Sequence, residues 1–134
     1  MSYELFVTAE FSAAHNLRNY KGKCERLHGH NWRVDLRLQG RRLNRTGLLL
    51  DFVEAKRILA AVLDRFDHAY LNEVPPMDRL NPSSENLARF IAGETAKRLP
   101  RGIRVASVTC WESAGCAATY KQTKVQSSKF KVQS

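Results

Sequence analysis

"HGHNWRVDLRLQ", residues 28–39, decides the fold. Trp32, Val34, Leu36 and Leu38 recur at every second position, and Asn31, Arg33, Asp35, Arg37 and Gln39 fill the positions between. Side chains of an extended chain alternate between the two faces of a sheet. A period of two therefore predicts a strand with one apolar and one polar face. His28 and His30 fall on the apolar side.

Upstream, residues 3–15 repeat the pattern. Leu5, Val7, Ala9, Phe11 and Ala13 share one face, with His15 on the same parity, while Glu4, Thr8, Glu10 and Ser12 take the other. If the two strands pair antiparallel through residues 16–27, the end of the first lies beside the start of the second. His15 then comes next to His28 and His30. Three neutral imidazoles converging from rigid strands make a Zn²⁺ site with bonds of ~2.0–2.1 Å, and three protein ligands leave a position open for chemistry. Cys24 lies in the connection, among Lys21, Lys23 and Arg26. As a fourth ligand it closes a structural site; as a thiolate favoured by those cations it is a nucleophile or base. The residues alone leave both open.

Downstream, the polar "GRRLNRTG" (40–47) and "LLLDF" (48–52) lead into a helix predicted over 52–66, with Phe52, Ala55, Leu59, Val62, Leu63 and Phe66 at helical spacing. Prolines in "NEVPPMDRLNP" (72–82) end that pattern. A second helix starts at "NPSSEN" (81–86), capped by Asn81 or a serine, with Leu87, Phe90, Ile91 and Leu99 as its stripe. "IRVASVTCWES" (103–113) and "CAATYKQTKV" (116–125) read as closing strands. The expected architecture is α+β: a four-stranded antiparallel sheet with two helices on one face. Its open edges favour closing the sheet with copies of the chain.

The chain has 134 residues, 43% hydrophobic and 26% charged, which suits one soluble domain over residues 1–120. Residues 121–134 read as the end of the last strand and a basic, flexible tail with four lysines and no acid. No apolar run approaches the ~20 residues of a membrane span, and "MSYELF" does not read as a signal peptide. Three cysteines argue against a disulfide framework and for a reducing compartment, the cytoplasm. Of the formal charge of +9, residues 18–45 contribute nine Lys/Arg against two acids. Such a stretch suits a phosphorylated small molecule, a nucleic acid or plain solvent.

Other candidates each have two readings. His68, after Asp67 in "RFDHAYLN", is either a histidine favoured by a helix C-terminus or one half of a carboxylate-supported proton relay. Glu112 shares parity with Ala106, Val108 and Cys110, where a carboxylate needs an arginine or the N–H donors of a ligand. Ile103, Val105 and Trp111 make the opposite face apolar too, so the inward side stays open. Ser83, Ser84 and Glu85 are most simply a helix start, and Cys110 and Cys116 lack metal-type spacing.

Taken together, "FSAAH", Cys24 followed by "HGH", "LLLDF", "FDHAYLN", "NPSSEN" and "WESAGC" resemble the 6-pyruvoyltetrahydropterin synthase family, in family order over residues 5 to about 120. The short Cys24-to-HGH spacing resembles its bacterial 6-carboxytetrahydropterin synthases of 7-deazapurine (queuosine) biosynthesis. The resemblance implies the tunnelling fold (T-fold), with trimers closing β-barrels and stacking into a homohexamer. It implies conversion of 7,8-dihydroneopterin triphosphate to 6-carboxy-5,6,7,8-tetrahydropterin, acetaldehyde and triphosphate. It further implies zinc on His15, His28 and His30, a catalytic thiol at Cys24 and a proton relay of Asp67 and His68, from the same or a neighbouring subunit. Glu112 would anchor the pterin, and Ser83, Ser84 and Glu85 would lie along its pocket. The basic residues 18–45 offer a grip on the triphosphate. The alternatives are 6-pyruvoyltetrahydropterin synthase itself and a non-catalytic, zinc-stabilised nucleic-acid-binding module. The second is disfavoured because only Tyr20 and Trp32 interrupt the basic stretch as stacking platforms.

Overall fold

β1 (Tyr3–His15) and β2 (His28–Gly40) pair antiparallel along their whole length, from Tyr3 opposite Gly40 to His15 opposite His28. The computed structural model describes residues 1–20 and 26–122. Cross-strand pairing sets Phe11 against Trp32 and Val7 against Leu36, so the two apolar stripes merge into one surface. Trp32, Val34, Leu36 and Leu38 are fully buried in it. Each such side chain contributes ~1.5–3 kcal/mol by leaving water, enough to fix the register against a one-residue slip.

That surface is covered by α1 (Phe52–Leu63) and α2 (Ser84–Ala96). Asp51 caps α1 by accepting the Val53 N–H, and Ser83 caps α2 by accepting that of Asn86. α1 buries Ala55, Ile58, Leu59, Val62 and Leu63; Phe52, expected inside, is 54% exposed. The predicted continuation to Phe66 is instead a turn in which the Phe66 N–H bonds the Leu63 carbonyl and its ring enters the core. α2 buries Leu87, Ala88, Ile91, Ala92 and Thr95, while Phe90 and Leu99 pack only at the margin of the core.

A short strand, β3 (Ala69–Tyr70), precedes α2; β4 (Ile103–Ser113) and β5 (Cys116–Lys121) follow it. The sheet order is β3-β1-β2-β4-β5. The expected sheet of four antiparallel strands is thus a mixed one of five. Leaving α1, the chain turns back along β1, and the His68 N–H on the Ser12 carbonyl (2.6 Å) starts a parallel pairing of Ala69 with Ala13. N-terminal to Ser12, no strand among the described residues pairs with the outer edge of β1.

β4 explains why its inward face was ambiguous. Arg37 pairs with Ser107 but Leu38 pairs with Val105, so Ala106 is an extra residue, a β-bulge. The bulge switches parity within the strand. Val105 on one side of it, and Val108 and Cys110 on the other, are all buried toward the helices.

Candidate metal centre

The histidines meet as the register demands. Ring centroids of His15 and His28 are 4.5 Å apart, those of His28 and His30 4.7 Å, and those of His15 and His30 5.4 Å. Trp32 lies edge-on beneath them, 4.9 Å from His15 and 5.6 Å from His30. Glu112 arrives from β4, on the parity of Val108 and Cys110 that the bulge turns inward. One potential ligand atom from each of His15, His28, His30 and Glu112 lies within 4.8 Å of the others.

Hydrogen bonding decides which ring nitrogens are free. His15 Nδ1 is 2.7 Å from the Pro82 carbonyl and His28 Nδ1 is 2.7 Å from the Arg26 carbonyl. A carbonyl only accepts, so in each ring Nδ1 carries the proton. In a neutral imidazole Nε2 then holds a lone pair. Burial is the main force lowering the pKa of His15; the Pro82 bond opposes it and His28 adds to it. Burial also lowers His30, against the pull of Glu112. Burial thus favours the neutral forms of His15 and His30. Yet His15 Nε2 stands 3.2 Å from Glu112 Oε1, and His30 Nε2 stands 3.7 Å from the same oxygen. The His15 lone pair and a carboxylate repel each other unless a cation lies between them. Both Nε2 atoms are buried without a hydrogen-bond partner among the described residues. Three imidazole nitrogens, one carboxylate oxygen and carbonyls orienting two of the rings fit a divalent metal of the zinc type.

Asp67 and His68 stand apart from this cluster, on the β1 edge. The Ser12 N–H donates to Asp67 Oδ1 (3.0 Å) and His68 Nδ1 is 3.1 Å from that oxygen. The Ser12 bond is the main cause holding the Asp67 carboxyl below its usual range, with help from His68. His68 has φ +59°, a left-handed conformation uncommon outside glycine. Its side chain is 83% exposed. The pair is thus fixed at the backbone and offered outward.

Ser83 spends its hydroxyl on the α2 cap; Ser84 and Glu85 form the first turn behind it. What ties this stretch to the centre is the Pro82 carbonyl. Cys24 lies outside the described residues, as do Lys21 and Lys23. Cys110 is fully buried, with its thiol pushed up to about 12 by burial, as expected of a core residue; Cys116 is exposed.

Much of the basic stretch lies where it cannot serve this centre. Arg41, Arg42 and Arg45 follow the far end of the thirteen-residue β2, roughly 40 Å from His28 at ~3.3 Å per residue. Arg33 is paired with Asp35, and Arg37 lies over the Phe6 ring and near Glu4, all on the sheet face away from the helices. Arg18 is spent on backbone carbonyls. Of the described cations in the stretch, Arg26 alone adjoins the histidines, through its carbonyl.

This fold and this cluster define a pterin-synthase type of protein. Residues 4–123 match the family of 6-pyruvoyl tetrahydropterin synthase, and the chain belongs to it. A 6-carboxy-5,6,7,8-tetrahydropterin synthase of Synechocystis is 35% identical over 121 residues, covering 87% of this chain and 91% of the relative. A dihydroneopterin monophosphate aldolase of Pyrococcus furiosus is 30% identical over 112 residues, covering 84% and 91%. The solved 6-pyruvoyl tetrahydropterin synthase of Caenorhabditis elegans superposes with a TM-score of 0.80 at 27% identity, covering 92% of this chain and 97% of that one. The fold is accordingly the T-fold.

Proposed function

We propose that the protein is a zinc-dependent 6-carboxytetrahydropterin synthase. It converts 7,8-dihydroneopterin triphosphate to 6-carboxy-5,6,7,8-tetrahydropterin, acetaldehyde and triphosphate, a step toward 7-deazapurines such as queuosine. The observation that carries this reading is the gathering of one ligand atom each from His15, His28, His30 and Glu112 within 4.8 Å of one another, with the His15 Nε2 lone pair turned toward the carboxylate, within a chain of this family. Identity to the Synechocystis enzyme and the Cys24-x3-HGH spacing favour the carboxy product.

His15, His28 and His30 would hold the metal. When bound, it supplies a Lewis acid that polarises the side-chain oxygens of the substrate and acidifies the adjacent C–H. Cys24, as thiolate among Lys21, Lys23 and Arg26, takes the proton. His68, oriented by Asp67, gives or takes protons as the side chain rearranges. Glu112 accepts the pterin's 2-amino and ring N–H groups, and Ser83, Ser84 and Glu85 flank the pterin. Arg26, with Lys21 and Lys23, grips the triphosphate. Because His68 points outward from the β1 edge, it serves a neighbouring copy's centre. Copies joined through the β1 and β5 sides of the sheet close a barrel, giving trimers and a hexamer of two of them. The domain is residues 1–120, followed by a tail, and the enzyme works in the cytoplasm. Among the described residues no helix is long and apolar enough to cross a membrane.

The test is to incubate the zinc-loaded protein with 7,8-dihydroneopterin triphosphate and identify products by mass spectrometry, with acetaldehyde assayed in parallel. Carboxytetrahydropterin with acetaldehyde supports the reading. A pyruvoyl product without acetaldehyde replaces it with the activity named for the Caenorhabditis relative. Cleavage only of dihydroneopterin monophosphate replaces it with that named for the Pyrococcus relative.

A further inference from the structure

The Pro82 carbonyl selects the tautomer of His15, so whatever holds Pro82 in place helps to set the metal centre. Its neighbour Asn81 is clamped on both sides of one residue. Asn81 Oδ1 accepts the Arg18 N–H (2.8 Å), and Asn81 Nδ2 donates to the Arg18 carbonyl (3.0 Å). The Asn81 carbonyl in turn accepts Asn86 Nδ2 from α2 (2.9 Å). Asn72 makes the same two-way clasp on Asn16: its Oδ1 accepts the Asn16 N–H (3.0 Å) and its Nδ2 donates to the Asn16 carbonyl (2.8 Å). Two side-chain amides thus imitate strand rungs and fasten residues 16–18 to the 72–82 segment.

The Arg18 guanidinium completes the fastening. Nη1 donates to the Leu80 carbonyl (3.0 Å), and Nη2 donates to those of Asn72 (3.0 Å) and Met77 (2.8 Å). No salt bridge to a carboxylate is formed by Arg18 among the described residues. A partly buried cation that spends its donors on three carbonyls of one loop fixes that loop's curvature more tightly than a single bond could. A planar fork is suited to this and an ammonium is not.

Resting on the reading that His15, His28 and His30 hold a metal, we infer that Arg18 is a positioning residue of the metal centre. It acts through Asn81 and Pro82 on the His15 ring. It stands three residues after His15, so its side chain anchors the exit of a ligand-bearing strand. Partners that orient a metal-binding histidine typically carry 10–100-fold in metal affinity.

The test uses the full-length protein, with Zn²⁺ affinity from competition against a chromophoric chelator and site geometry from the visible absorption of the Co²⁺-loaded form. Arg18→Ala is expected to weaken zinc about 10–100-fold and to alter the Co²⁺ spectrum. Arg18→Lys should recover little of either. Asn81→Asp, which keeps the acceptor but loses the donor to the Arg18 carbonyl, should shift both in the same direction by less. Unchanged affinity and spectrum in Arg18→Ala, even with a lowered Tm, would make Arg18 a purely structural pin and overturn the inference. If Arg18→Ala does not fold, unchanged affinity and spectrum in Asn81→Asp overturn it equally. A wild-type protein that takes up no zinc removes the metal reading itself, which the variants alone cannot do.

Discussion

Two clusters of ionisable side chains lie on opposite faces of β2, and they differ in who satisfies them. On the face away from the helices, Asp35 is 5% exposed, yet every demand of its carboxylate is met by the chain. Oδ1 accepts Thr8 Oγ1 (2.9 Å) and Arg33 Nε (2.8 Å), and Oδ2 accepts Trp111 Nε1 (2.9 Å). Burial pushes its pKa up, but the bonds from Arg33, Trp111 and Thr8 outweigh that and hold it low. On the other face, His15 and His30 keep buried nitrogens with no partner among the described residues, pointed at a carboxylate. A closed cluster is structure; an open one can take an ion or a ligand. Burial and charge alone do not separate the two, whereas partner accounting does.

Removing a ligand should break the comparison hardest. His28→Ala is expected to lower zinc affinity by well over ~10²-fold, more than the loss of an outer-sphere partner, and to abolish turnover with it. Full zinc occupancy in that variant by elemental analysis would remove His28 from the site. Next, Cys24→Ala should keep the metal and lose turnover by about 10²–10⁴-fold, the range of one general acid–base group. Single-turnover kinetics on zinc-loaded protein checks this, and normal product formation would rule the thiol out. Glu112→Gln should hold turnover nearer to normal while raising KM about 10–100-fold, as one charge-assisted bond to the pterin is lost. A comparable fall in zinc affinity would instead make the carboxylate chiefly a metal ligand.

The closed cluster should answer only in stability. Asp35→Asn should cost about 1–3 kcal/mol at neutral pH, seen as a lower Tm with metal content unchanged. Because the folded-state pKa of Asp35 is depressed, its contribution is present above the unfolded carboxylate value and fades as the pH falls through the folded one. The stability gap between wild type and Asp35→Asn should therefore narrow on acidification, by denaturation midpoints across that range. A gap independent of pH would mean that Asp35 acts by shape alone.

How much of this was legible depended on whether a feature has a local period. Parity in β1 and β2 placed His15, His28 and His30 together, because one antiparallel register carries every alternate residue to the same side. The helices were legible from their stripes, and the cap of α2 only as Asn81 or a serine, which the structure resolves to Ser83. Parity failed in β4, where the bulge at Ala106 adds a residue and the apolar set changes sides within one strand. It could not see β3, two residues held by a contact between His68 and Ser12 fifty-six positions apart in sequence. Charge counting treated residues 18–45 as one patch, whereas β2 carries Arg41, Arg42 and Arg45 away from Arg26. The Arg18 clamp left no mark either, since bonds from a side chain to carbonyls some sixty residues on have no repeat to read.

The bulge also makes chain length a determinant of chemistry here. Deleting Ala106 would restore an even ladder between β2 and β4 and force a choice. Either Val105 leaves the core, or Glu112 swings to the Asp35 face and the histidines lose their carboxylate. Three missing nucleotides, with every side chain of the cluster still encoded, would be enough to separate the fold from its candidate metal centre.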